Sequence, residues 1–170
     1  MGGLLALHVA HAAPAGFFTG LALSAPAIAP DPRTDTPLNR FAAALLGRTL
    51  PKLEVARLPL SHLCTDAAVV ARYVADPLVF HGALRARVGA EMIKAMPQAL
   101  ALAPSLALPL LIVHGEEDRL CDISGSRALL AAYGGGDKAL QPFAGLMHEL
   151  HNEPGGASIG AVAAWVRERL

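Results

Sequence analysis

The chain is poor in charge, and its first thirty residues contain no Asp, Glu, Lys or Arg at all. Charged residues make up 16% of the sequence against 54% hydrophobic residues, which excludes intrinsic disorder and supplies a large core. The formal net charge is zero and there is no basic stripe, so a nucleic-acid partner is not expected. A chain of 170 residues suits one domain, or most of one.

Cysteine is scarce as well. Cys64 and Cys121 are the only two, and they lie far apart in the sequence. This pattern excludes a disulfide framework and a CxxC metal or redox motif. Two isolated cysteines are typical of a protein from the reducing cytosol.

The uncharged opening segment admits three interpretations. A secretory signal would need a basic start and an unbroken apolar run, but His8, His11 and Pro14 interrupt this one. Small residues over 25–29 imitate a cleavage site, so a secreted protein remains an alternative. A membrane helix would need about 20 consecutive apolar residues. The pattern favours a helix over 2–13, ended by the Pro-Ala-Gly sequence, and a short buried strand over 21–24.

Further along the chain, buried strands alternate with helices. The sequence predicts strands at LLIV over 110–113 and over 138–143 and a helix over 124–133. A last helix follows the loop over 144–156 and ends at Arg169. A Pro-rich loop over 26–37 leads into an all-helical insertion over 30–103, with helices from Thr36 to Thr49, over 66–74 and over 81–102. Strands alternating with helices predict an α/β fold whose parallel sheet is covered on both faces.

Two loops that follow predicted strands carry residues capable of chemistry. Asp118 follows one strand in HGEEDRLCD, and His148 follows the next in FAGLMHELHNE. In open α/β sheets, sites lie beyond the carboxyl ends of the strands. An acid followed by a histidine fits the chain order of the α/β-hydrolase triad. The plainer alternatives are a helix-capping aspartate and an ordinary loop histidine.

A nucleophile is harder to find. One G-x-S-x-G match exists, at Gly156 to Gly160, but it follows the histidine and no strand precedes it. Ser158 is better explained as a residue that starts the last helix. A metal site is not expected either, because HELH lacks the HExxH spacing that places two ligands on one helix face. The residues considered for such a site are His114, His148, His151, Glu149 and Glu153.

Several short motifs together resemble the monoacylglycerol lipase family of α/β-hydrolases. They are MGG at the start, LSAP after the first strand, DPL at Asp76, DRLCD at Asp118 and H-x-L-H-x-E from His148. The segments are spread over essentially the whole chain. The resemblance implies the C-terminal part of an α/β-hydrolase fold with a cap, and a serine hydrolase that releases fatty acid from monoacylglycerols without a cofactor.

The resemblance also implies roles for individual residues. Asp118 corresponds to the triad acid and His148 to the base. The family's elbow reads G-H-S-M-G-G, and Met1 corresponds to the residue after the nucleophile, whose N–H serves the oxyanion. The nucleophilic Ser itself has no counterpart, so we expect a chain that is incomplete and inactive alone. The alternative is a non-catalytic short isoform that binds lipid or regulates.

The insertion resembles the family's cap, or lid. The stripe Phe41, Leu45, Leu46 and Leu50 on its first helix would face lipid, or else be plain core. We therefore expect a cytoplasmic protein that touches membranes peripherally through its cap. Cys121 would lie near the site and make it sensitive to thiol reagents, whereas Cys64 would be buried in the cap.

Overall fold

The computed structural model describes residues 1–30 and 35–169. The predicted Pro-rich loop therefore lies partly outside the described residues. In chain order, the elements are α1 (Gly2–Ala12), β1 (Leu21–Ser24), α2 (Pro37–Thr49), β2 (Glu54–Ala56), α3 (Ala67–Ala75), β3 (Leu84–Arg85), α4 (Ala86–Leu102), β4 (Leu110–Gly115), α5 (Ile123–Ala132), β5 (Lys138–Phe143) and α6 (Ala157–Arg167). Short 3₁₀ turns lie at Leu60–His62, Ala103–Ser105 and Leu150–Asn152.

Three parallel strands form the main sheet, in the order β1-β4-β5. The central strand β4 is buried along its whole length, as expected for a parallel strand covered on both faces. One face packs against α1, α4 and α5 through a core that includes Leu7, Leu110, Ile112 and Leu129. Residues of the opposite face, among them Leu111, pack against α6. The predicted α/β architecture is confirmed.

Local sequence signals explain where several elements begin. Thr36 caps α2 by accepting a hydrogen bond from the Asn39 N–H, and Pro37 occupies the first helical position. Asp66 caps α3 in the same way, accepting from the Ala68 N–H. Both strands β1 and β5 have the predicted bounds.

The insertion between β1 and β4 contains more than helices. Residues 81–85 do not belong to the long helix as predicted, because α4 begins only at Ala86. Leu84 and Arg85 instead form β3, which pairs with β2 as an antiparallel ribbon. Helix α2 lies so close to α4 that a Cβ on Gly47 would come within 2.6 Å of the Ala90 Cβ. The cap is therefore a helical layer edged by a short ribbon.

The last turns of α4 join the cap to the main core. Met96 and Ala99 are buried in the same cluster as Leu4 and Leu7 of α1. The opening segment is thus an integral helix and strand of the fold, as the helix-and-strand interpretation predicted. Within residues 1–30 and 35–169, no helix is long and apolar enough to cross a membrane.

Candidate active site

Asp118 lies in a tight turn that follows β4. Its N–H donates to the Gly115 carbonyl, and its Oδ1 accepts the N–H groups of Leu120 and Cys121 at 2.8 and 2.9 Å. Only 8% of the residue is exposed. The carboxylate is therefore fixed by its own turn, with Oδ2 left to face a partner outside the turn.

His148 lies in the loop after β5, the neighbouring strand. The loop turns at Gly145, whose φ of +74° is the left-handed conformation that glycine adopts without strain. It then passes over Gly115, where a Cβ would come within 2.3 Å of the Leu146 and Met147 carbonyl oxygens. A glycine at the end of β4 is thus required for the His148 loop to approach Asp118.

The two predicted residues meet at the sheet edge. His148 Nδ1 lies 2.8 Å from Asp118 Oδ2, and because a carboxylate only accepts, Nδ1 carries the proton. This leaves Nε2 as the ring nitrogen that can exchange a proton with another group. This geometry would allow Asp118 to orient His148 and His148 to exchange a proton through Nε2.

The contact changes the proton affinity of both partners. Burial by itself raises the pKa of Asp118, but hydrogen bonds from His114, His148 and the Cys121 amide outweigh it and hold that pKa well below its usual range. Burial by itself lowers the pKa of His148, but its hydrogen bonds with Asp118 and Cys121 and their charges raise it to about 10. The contact therefore favours the charged forms of both groups, the carboxylate of Asp118 and the imidazolium of His148.

His114 is a further buried neighbour of the Asp118 carboxylate, which the sequence analysis did not predict. Its ring is completely buried, with Nε2 2.8 Å from the Cys121 carbonyl and Nδ1 2.7 Å from the Ser126 hydroxyl. Since a carbonyl only accepts, Nε2 carries the proton, and it also lies 3.3 Å from Asp118 Oδ2. The sequence signal was a histidine inside an otherwise apolar strand, which needs buried partners.

Cys121 lies beside the pair, as expected for a residue so close to Asp118 in the sequence. The Asp118, Cys121 and His148 ligand atoms lie within 4.8 Å of one another, the one such group of three in the described part of the chain. However, Asp118 already accepts two N–H groups on Oδ1 and His148 on Oδ2. A cation bound by Asp118 would therefore have to compete with these hydrogen bonds.

Met1 and Ser158 each lie at the start of a helix. Met1 is the exposed residue before α1, and a Cβ on Gly3 would come within 2.7 Å of Pro26, which follows β1. The start of α1 therefore lies at the carboxyl edge of the sheet, the edge that carries Asp118. Ser158 is in the first turn of α6, where its buried hydroxyl donates to the Leu150 carbonyl.

The sequence pattern of a family described as "Serine aminopeptidase, S33" matches residues 1–155. The chain belongs to this family. It is 32% identical to the monoglyceride lipase of Mus musculus, over 100% of this chain and 57% of the mouse protein. It is 37% identical to the monoacylglycerol lipase of Mycolicibacterium smegmatis, over 82% of this chain and 49% of that protein. The chain thus spans about half the length of these curated relatives.

Solved structures agree with the sequence matches. The crystal structure of Paleococcus ferrophilus monoacylglycerol lipase superimposes with a TM-score of 0.87 at 27% identity, over 99% of this chain and 65% of that one. The resemblance to the monoacylglycerol lipases and the α/β-hydrolase fold are therefore confirmed. The coverage fits the C-terminal portion of such a fold.

The Asp118–His148 contact should make stability depend on pH. The folded pKa of His148 is raised from 6.5 to about 10, so its contribution is complete below pH 6.5 and is lost as pH rises through 10. The folded pKa of Asp118 is lowered, so its contribution is lost as the pH falls below about 4. We expect the difference in unfolding free energy between the wild type and His148→Gln to be largest between about pH 4 and 6.5. Urea unfolding at a series of pH values measures this difference, with His151→Gln as the control. A difference in unfolding free energy that stays constant from pH 6 to 10 would contradict the prediction.

The two cysteines should differ in reactivity. Cys121 is partly exposed and hydrogen-bonded to His148, whereas Cys64 is 3% exposed and burial, followed by neighbouring negative charges, raises its pKa. Because the thiolate is the reactive form, iodoacetamide should modify Cys121 at least about tenfold faster than Cys64. Mass spectrometry of Cys64→Ser and Cys121→Ser measures each thiol separately. Equal rates would contradict this prediction, because they would show that burial does not protect Cys64.

Proposed function

We propose that this chain carries the acid and the base of a serine hydrolase that cleaves monoacylglycerols to fatty acid and glycerol. The observation that supports it most directly is the 2.8 Å contact between Asp118 and His148 at the ends of neighbouring parallel strands. Family membership supports hydrolase chemistry, and the named relatives support a lipid ester as substrate.

The residues divide the chemical work as follows. Asp118 fixes the tautomer and orientation of His148 and stabilises its charged form. Nε2 of His148 takes the proton of the nucleophilic hydroxyl and returns it to the leaving glycerol oxygen. The Met1 amide, within a continuous peptide, would donate to the oxyanion, because the start of α1 lies at this sheet edge.

The nucleophile is proposed to come from a segment outside this chain. Among the described residues, no serine hydrogen-bonds to His148. The two buried serines bind other groups, Ser126 the ring of His114 and Ser158 the Leu150 carbonyl. In the sheet, β1 is an edge strand, where a further parallel strand would pair and bring its own carboxyl end to the site. We therefore expect the chain alone to be inactive.

The cap supplies a site for an acyl chain. A half-open, mostly apolar cavity of about 600 Å³ is lined by cap residues such as Leu58, Leu60 and Phe80. It reaches Leu63, whose carbonyl accepts the N–H of Glu149, the residue after His148. An apolar cavity next to the base suits a fatty ester better than a peptide.

The activity test compares two proteins: the 170-residue chain, and the product of the same reading frame extended upstream of Met1. We expect fatty acid release from a monoacylglycerol by the extended protein only. In it, His148→Gln should lower kcat by about 10⁶ and Asp118→Asn by about 10⁴, because each removes a member of the triad. The exposed His151→Gln serves as the matched control and should leave kcat unchanged.

Two results would contradict this proposal. Robust turnover by the purified 170-residue chain would show that the nucleophile lies within it. A stop codon directly upstream of the Met1 codon in a translated message would leave the chain without the nucleophile, and would favour the non-catalytic lipid-binding alternative.

The cap also offers an apolar surface for membrane contact. Leu38, Phe41, Leu45 and Leu50 of the α2 region are between 49% and 74% exposed. The predicted stripe is therefore largely solvent-facing, with Leu46 partly buried. Burial of such side chains in a lipid interface favours peripheral binding without a charge contribution.

Replacing Phe41 and Leu45 by Ser should weaken binding to uncharged phosphatidylcholine vesicles by at least about tenfold, since each side chain loses its apolar burial. Vesicle co-sedimentation measures this. Leu5→Ser on α1 is the matched control, because Leu5 is 56% exposed but lies outside the cap. Equal losses for both variants would show that the cap has no special role.

A further inference from the structure

Glu153 is a buried acid that the mechanism leaves without a role. It is 5% exposed, and no residue in the described part of the chain forms an ion pair with it. Its charge is met instead by hydrogen-bond donors from two segments, the loop that precedes it and a segment 88 residues away in sequence. A buried carboxylate that ties two segments together restricts their relative movement, because breaking either set of bonds leaves a charge unsatisfied.

The first of these segments is the His148 loop itself. Glu153 Oε1 accepts the Met147 N–H at 2.7 Å, so the residue before His148 is fixed. The residue after it is fixed as well, because the Glu149 N–H donates to the Leu63 carbonyl at 2.7 Å. His148 is thus held between two anchored neighbours.

The second segment is the inner loop of the cap. The Thr65 N–H lies 3.1 and 3.0 Å from the two carboxylate oxygens of Glu153, and the Thr65 hydroxyl donates to Oε2. Leu63, the other anchor, belongs to the same loop. Both anchors of His148 therefore lead to cap residues 63–65, which lie more than eighty residues away in sequence.

We propose that Glu153 is a positioning residue for His148, which couples the inner loop of the cap to the Asp118–His148 pair. This rests on the proposed function, in which His148 is the base. If the cap loop moves, the Met147 and Glu149 anchors move with it, and the 2.8 Å contact between His148 and Asp118 changes. The cap would then influence the proton affinity of the base as well as cover the substrate.

The test measures the pKa of His148 by NMR titration of the imidazole signals of the full chain, with the signal assigned from His148→Gln. Glu153→Gln keeps the shape but places an NH₂ group against a main-chain N–H. We expect the His148 pKa to fall by about one pH unit or more, because the contact with Asp118 lengthens. The groups near His148 that titrate are Asp118, Cys121, His114, Glu149 and Glu153.

The matched control for charge is Glu149→Gln. Glu149 is the direct neighbour of His148, and among the described residues its side chain hydrogen-bonds only to Asn152. The substitution therefore leaves the main-chain hydrogen bond from Glu149 to Leu63 in place. Glu149→Gln removes one negative charge from the same loop, as Glu153→Gln does, and should leave the His148 pKa within about 0.3 of the wild type. An equal fall in both variants would overturn the proposal in favour of a simple charge effect.

The cap side is tested by Thr65→Val, which removes the hydroxyl donor and keeps the main-chain N–H. Thr65 is exposed and lies outside the core clusters, so this variant should fold even where Glu153→Gln does not. The His148 pKa should fall in Thr65→Val and stay at the wild-type value in Thr65→Ser. A folded Thr65→Val with an unchanged His148 pKa would overturn the coupling.

A titration of Asp118→Asn separates this proposal from the proposed function. A wild-type pKa of His148 that neither Glu153→Gln nor Thr65→Val changes overturns only the role of Glu153. A His148 pKa that is no lower in Asp118→Asn than in the wild type would show that Asp118 and His148 do not pair in solution, which would overturn both.

Discussion

The buried carboxylate of Asp118 is the interaction on which the site depends. It accepts two N–H groups of its own turn, accepts His148 from the loop after β5, and lies 3.3 Å from the buried ring of His114. An isolated carboxylate that is only 8% exposed would cost several kcal/mol, so the buried charge of Asp118 requires these hydrogen-bond partners. The geometry of the pair is thus a consequence of satisfying one buried charge.

The position of this charge follows from the sheet. Parallel strands end at a common edge, so the turn after β4 and the loop after β5 come together without any specific pairing between their sequences. What does require specific residues is the close approach. Gly115 leaves room for the carbonyls of Leu146 and Met147, and Gly145 provides the left-handed turn before them. The fold supplies proximity, and these two glycines allow the final contact distance.

The parts that sequence analysis predicted well are those with local causes. The bounds of β1 and β5 were predicted, as was the start of α2, because strand patterning, Thr36 and Pro37 act within a few residues. The ribbon of β2 and β3 was missed, since its exposed strands pair across about thirty residues and carry no alternation of their own. The Thr65 partner of Glu153 was missed for the same reason, because it lies 88 residues away. The partners of His114 lie only 7 and 12 residues away, but the sequence does not show which polar groups the fold brings to its ring.

Orientation and basicity of His148 have different physical sources. The contact with Asp118 orients the ring, and together with Cys121 it raises the pKa of His148 to about 10, which favours the protonated ring over the neutral form that a base needs. Burial has the opposite effect on this pKa, and the His148 side chain is still 25% exposed. Covering the ring further would lower its proton affinity without disturbing the contact with Asp118. In the proposed function, further covering of Nε2, for example by the substrate, would therefore favour the neutral ring that can accept a proton.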